Sequence, residues 1–292
     1  MKPLDLVNLR GLMEITSGNA RTIVGLIDGP VAKNHPDLTG EKIRIIPGKL
    51  NSQCTQSNDI ACTHGTFVAG ILCGKKNSIA PAICPNCNLL VRPIFAENTA
   101  GNGQIPNATP EELAAAIIQC LEAGAKLLNL SIALAQLSSG GQYELKAALD
   151  YAVKRGAIVV AAAGNHGTLG SSVITRHPGV IPVVACDLQG KPISQSNLGR
   201  SIGSRGLSAP GDKITSLGTN DKPLVLSGTS VAAPFVTGTI ALLQSEFPAA
   251  TITDIRYAVT QADGARRTSV VPPLLDAWTA YQVLAKVHSS RR

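Results

Sequence analysis

Short apolar runs without polar alternation recur along this chain, at 22–27, 88–94, 126–132, 157–162 and 180–186. A strand with one wet face alternates apolar and polar residues. A strand covered on both faces has no reason to, and such strands belong to parallel sheets packed between helices. Helical patterns fall between the runs. Thr109-Pro110-Glu111-Glu112 reads as an N-cap, a first-turn proline and early acids leading into 113–121. Further helical stretches read at 6–15, 64–73, 143–155, 231–247, 253–261 and 272–285, with one more short strand at 213–215. Strand and helix in alternation predict an α/β fold, a mainly parallel sheet with helices on both faces. Hydrophobic residues make up 44% of the chain but aromatics only 3%, so Ala, Val, Ile and Leu must build the core. No repeat, low-complexity tract or linker interrupts the 292 residues, and one domain over 1–292 is expected.

The net charge of +7 raises the question of a nucleic-acid partner. The basic residues are scattered, however. The densest groups are Arg266-Arg267 and Arg291-Arg292, with no interleaved aromatics, and this reads as a solvated surface. No run approaches membrane-span length, and no nucleic acid or membrane is expected as partner. The start Met1-Lys2-Pro3-Leu4-Asp5 carries no apolar signal segment, and a cytoplasmic protein is expected. Of the seven cysteines, Cys73, Cys120 and Cys186 lie in apolar or helical contexts and read as core residues. Cys84-Pro85-Asn86-Cys87 has the spacing of a redox or metal half-site but lacks a second such pair, so a zinc site is not favoured. A loop disulfide within that motif, or between Cys54 and Cys62, is the better reading, although a reducing cytosol opposes either.

Chemistry concentrates in a few stretches. Gly228-Thr229-Ser230 stands before a long apolar run, which places a serine hydroxyl at a helix mouth. There it is either a cap or a nucleophile beside free N–H groups. An apolar run upstream ends in Asp28, and His64-Gly65-Thr66 reads as the opening of another helix. Asp, His and Ser in this chain order are one of the known orders of a hydrolytic triad. His35 reads as a surface residue.

The local contexts resemble the subtilisin family of serine proteases. Ile23-Val24-Gly25-Leu26-Ile27-Asp28-Gly29 is similar to its aspartate strand and His64-Gly65-Thr66-Phe67-Val68-Ala69-Gly70 to its histidine helix. Gly228-Thr229-Ser230-Val231-Ala232-Ala233-Pro234 is similar to its serine helix, and Ala161-Ala162-Ala163-Gly164-Asn165 to its oxyanion-binding motif. The resemblance implies Ser230 as nucleophile, His64 as general base, Asp28 as the group that orients it and Asn165 as an oxyanion donor. It also implies two edges that bind an extended peptide. One runs through Gly101, Asn102, Gly103 and Ile105, the other through Ser131, Ile132, Ala133 and Leu134, where the family often has glycines for Ala133 and Leu134. His166 would sit at the rim of the pocket. Ser172 would lie at its floor, or else merely cap a turn. Many members carry a calcium loop after the histidine helix; here residues 74–81 contain no carboxylate, and no metal or other cofactor is expected.

Within the family, the chain is most similar to the proteases of cyanobactin maturation, which act on ribosomally made precursor peptides. One type removes the leader. The other closes the macrocycle and carries a helical insertion between its aspartate and histidine. Here the interval from Asp28 to His64 is short and rich in Pro, Gly, Asn and Thr, with little room for such a cap. The resemblance therefore implies a leader-cleaving endopeptidase with a peptide substrate. A general intracellular subtilase, a macrocyclising one and a non-catalytic peptide-binding module remain the alternatives. A small residue, Ser or Ala, is expected immediately before the cut.

Overall fold

The first strand, β1 (Ile23–Asp28), is an interior strand of a seven-stranded sheet whose order is β2-β3-β1-β4-β5-β6-β7 in this computed structural model. The residues described are 1–48, 53–54, 59–95, 108–132, 141–260 and 267–289. The other strands are β2 (Ile43–Ile45), β3 (Asn88–Pro93), β4 (Leu127–Leu130), β5 (Ile158–Ala162), β6 (Val180–Cys186) and β7 (Leu207–Pro210). Every pairing among them is parallel. A separate antiparallel hairpin joins β8 (Ile214–Leu217) to β9 (Pro223–Leu226).

The unalternating runs now have their cause. Successive strand residues feed two cores, one on each face. Leu26, Leu127 and Val160 enter one; Ile27, Leu128 and Val159 enter the other. The first face is covered by α2 (Leu9–Ile15), α3 (Ile60–Cys73) and α8 (Thr229–Glu246), with α9 (Ile252–Thr260) and α10 (Ala277–Ser289) outside them. The second is covered by α4 (Pro110–Glu122), α5 (Gln142–Lys154) and the single turn α6 (Val173–Arg176), and a further short helix, α7 (Arg200–Arg205), packs against β6. Both faces of the parallel sheet thus carry helices, as expected. The strand order reverses direction at β1, which is flanked by β3 and β4. In open parallel sheets such a switch point opens a crevice at the C-terminal strand ends. Asp28 stands there.

Several expectations need correction. The helix expected over 6–15 is two, α1 (Pro3–Leu6) and α2, because Asn8 turns into a left-handed conformation between them. The helix expected from 272 starts only at Ala277, and β7, which closes one edge of the sheet, was not anticipated. The cause is that Leu207–Pro210 holds a serine, ends in proline and lies between Gly206 and Gly211, a pattern that reads as a loop. His35 is buried, not a surface residue; its Nδ1 accepts from the Asp37 N–H at 3.0 Å. Cys54 and Cys62 are disulfide-bonded. Cys84 and Cys87 are not: both are free, buried thiols. Hydrogen bonds to Cys73 and Cys87, together with burial, push the Cys84 thiol well above its ordinary range.

Candidate active site

Asp28 and His64 meet because α3 presses closely on the chain leaving β1. A side chain at Gly65 would lie 2.3 Å from the Pro30 carbonyl oxygen, so only glycine allows the approach. The helix does not open at His64, as its sequence suggests. It starts a turn earlier, capped by the Asp59 side chain, which accepts from the Cys62 N–H at 2.8 Å. The Cys54–Cys62 disulfide ties the same turn to the loop before it. His64 then projects from a turn already secured.

His64 Nδ1 is 2.7 Å from Asp28 Oδ1, which also accepts the Gly29 N–H at 2.6 Å. A carboxylate only accepts, so Nδ1 carries the proton and Nε2 is left as the basic nitrogen. It lies 3.0 Å from Ser230 Oγ. Asp28 is wholly buried, while the His64 side chain keeps 18% of its surface open, facing the crevice. Burial pulls the His64 pKa down. The charge of Asp28 and the hydrogen bond to it outweigh that pull, and the pKa is raised overall. The sign matters twice. The neutral, basic form accumulates only as pH climbs past the raised pKa. The pair's contribution to stability is full below the unfolded pKa and is lost as pH rises through the folded one.

Ser230 occupies the first turn of α8, whose N-terminal N–H groups have no intrahelical partners. It is not the cap. Gly228 holds that position at φ 142°, a conformation open to glycine, with Asn165 packed against it. Asn165 Oδ1 accepts from the Thr229 N–H at 2.8 Å and from the Thr229 hydroxyl at 3.0 Å. With its oxygen so committed, the amide presents Nδ2 as its free donor end. The Thr229 hydroxyl in turn accepts the Gly164 N–H at 3.1 Å. Asn197 braces the same loop, its Oδ1 accepting from the N–H groups of His166 and Thr168. Neither Thr229 nor Asn197 stood out as a site residue in the sequence; Thr229 lies within the serine motif, whereas nothing in the sequence marks Asn197.

Of the residues expected to bind substrate, Ser131 and Ile132 are buried just past the end of β4. The Ser131 hydroxyl donates to the Ser230 carbonyl at 2.9 Å, which puts this edge directly against the serine turn. His166 is exposed, on the loop that follows β5. Ser172 is exposed too, and its hydroxyl caps α6 by accepting the Thr175 N–H at 3.2 Å. That is the plain capping role its sequence left open. Gly101, Asn102, Gly103, Ile105, Ala133 and Leu134 lie outside the described residues. Among the described residues no group of three or more His, Cys, Asp or Glu is placed to hold a metal ion, and no helix is long and apolar enough to cross a membrane.

Such an arrangement can carry acyl transfer. The imidazole takes the serine proton as the hydroxyl attacks a carbonyl, the buried carboxylate stabilises the resulting imidazolium, and the imidazolium gives that proton to the leaving amine as the C–N bond breaks. The Asn165 amide and the Ser230 N–H can hold the developing oxyanion. Water then releases the acyl group by the same path in reverse.

Comparison with known proteins fits this chemistry. The subtilase family profile matches residues 19–275. The chain is 32% identical over 235 residues to the thermophilic serine proteinase of Bacillus sp. (strain AK1), an alignment covering 80% of this chain and 54% of that protein. It therefore spans about half the length of that relative. Among solved structures, a mutant of the protease domain of PatA superposes with a TM-score of 0.81 at 29% identity, covering 92% of this chain and 97% of that one. The prenylagaramide maturation protease PagA gives 0.79 at 29% identity, covering 94% and 98%.

Proposed function

Because this chain belongs to the subtilase family, we propose that it is a serine endopeptidase that cleaves the leader from a ribosomally made precursor peptide. Ser230 is the proposed nucleophile, His64 the general base and then acid, Asp28 its orienting carboxylate and Asn165 the side-chain oxyanion donor. The carrying observation is the likeness to PatA and PagA over more than nine-tenths of this chain; PagA and PatA are described as maturation proteases. The leader-cleaving type is favoured over the macrocyclising type by the short stretch between Asp28 and α3. Its described residues form a 3-10 turn (Gly40–Lys42) and the three-residue β2, with no helical cap. Ser131 and Ile132, with Ala133 and Leu134 next in sequence, form one proposed substrate edge; Gly101, Asn102, Gly103 and Ile105 form the other. His166 is proposed to lie at the rim of the pocket and Ser172, besides capping α6, at its floor.

A second reading, a subtilase of broad specificity, draws on the 32% identity to the thermophilic proteinase, slightly above the 29% to PatA and PagA. Mass mapping separates the two. Incubated with a cyanobactin-type precursor and with casein, the enzyme is expected to cut the precursor at one position, after a small residue, and leave casein largely intact. Rapid digestion of casein at many positions would favour the broad protease. A circular product would move the protein to the macrocyclising type.

A further inference from the structure

Helix α8 carries a proline, Pro234, inside its second turn. The Ser230 carbonyl would ordinarily accept the N–H four residues on, and proline has none to give. Another donor stands in its place. The Ser131 hydroxyl, from the end of β4, donates to that carbonyl at 2.9 Å.

A hydroxyl has one hydrogen, and something must commit it to this direction. Asn129 does so: its Nδ2 donates to Ser131 Oγ at 2.6 Å, so Ser131 accepts there and is left to donate toward Ser230. Asn129 needs orienting in turn, since an amide presents oxygen or nitrogen according to which way it is turned. Thr237 settles this. Its hydroxyl donates to Asn129 Oδ1 at 2.7 Å, nearer than its alternative acceptor, the Ala233 carbonyl, at 3.2 Å. Asn129, Ser131 and Thr237 are all buried, so water does not compete for these groups. The bonds run in one sense, Thr237 to Asn129 to Ser131 to Ser230. They leave α8 at Thr237 and return to it at Ser230, bridging the gap that Pro234 opens.

We infer that Thr237 is a positioning residue for catalysis: its hydroxyl sets the direction of this buried chain and thereby fixes the backbone of the proposed nucleophile, Ser230. The inference rests on the serine-hydrolase chemistry of Ser230 and is independent of which peptide is cut. Remove the Thr237 hydroxyl and the Asn129 amide is free to turn over. Its oxygen then faces Ser131, the Ser131 hydrogen swings toward it, and the Ser230 carbonyl loses its donor.

The test is Thr237→Val, which keeps the shape and deletes the hydroxyl, compared with Thr237→Ser, which keeps the donor. Two rates are read well below the melting temperature: kcat on a peptide, and phosphonylation of the serine by a fluorophosphonate. Thr237→Val is expected to slow both by about tenfold with KM unchanged, the signature of a lost transition-state interaction, and Thr237→Ser to restore them. If Thr237→Val does not fold, Thr237→Ala deletes the hydroxyl without setting a methyl against the amide, and the same readings apply. A variant without the hydroxyl that is less heat-stable yet reacts at the native rate would overturn the inference. So would a serine variant as slow as the one lacking the hydroxyl. If the native protein takes up no fluorophosphonate at all, the hydrolase reading falls, and this inference with it.

Discussion

The two helices that meet at the site are held in opposite ways. Helix α3, bearing His64, is secured by its near neighbours in the chain: the Asp59 cap and the Cys54–Cys62 disulfide both act on its first turn. Helix α8, bearing Ser230, has a glycine for its cap residue, no side-chain cap and a proline within. Its first turn is fixed from far along the chain, by Asn165 on Thr229 and by Ser131 on Ser230. A locally braced helix can place a base early. The turn of the proposed nucleophile takes shape only when β4, β5 and α8 have packed together. The chemistry therefore depends on the finished fold at Ser230 more than at His64.

Substitutions on the two helices should differ accordingly. Asn165→Ala deletes the proposed oxyanion donor and the acceptor that holds the Thr229 N–H. Turnover is expected to fall roughly a hundredfold or more, with KM little changed, in steady-state kinetics on a peptide substrate. A change confined to KM would show that Asn165 holds substrate and not the oxyanion. Asp59→Ala removes one of two local braces on α3. It is expected to cost about 1 kcal/mol in denaturant unfolding, the usual worth of an N-cap, while kcat stays within about twofold because the disulfide still secures the turn. A large loss of kcat without a loss of stability would erase the contrast between the helices.

That contrast also explains what the sequence disclosed. The unalternating runs disclosed the parallel sheet, because burial on both faces leaves a composition signal in each strand. Asp28, His64, Asn165 and Ser230 were legible through their flanking residues. The Thr109 cap of α4 was legible because cap, proline and acids are neighbours in the chain. The start of α3 was misjudged although Ile60, Ala61 and Cys62 precede His64: three apolar residues at the end of a loop-rich stretch are too few to show a helical period, and the cap, Asp59, lies five residues upstream. The Cys54–Cys62 bond could not be chosen over Cys84–Cys87 from spacing alone. The outcome follows from packing: Cys84 and Cys87 are built into the core beneath α3, whereas Cys54 lies beside the helix start. The chain from Thr237 to Ser230 was invisible, since its members lie on different elements and each alone is an ordinary buried polar residue.

The central claim is that Ser230 is a nucleophile activated by the His64–Asp28 pair. It is tested most directly by fluorophosphonate labelling across a pH series, followed by peptide mapping of the adduct. The expected result is a single adduct, on Ser230, whose rate of formation rises with pH to a plateau. The midpoint of that rise should lie above the pKa of a free imidazole, because Asp28 holds the His64 proton more tightly. An adduct on another residue, or a rate at Ser230 that does not change with pH, would contradict the account.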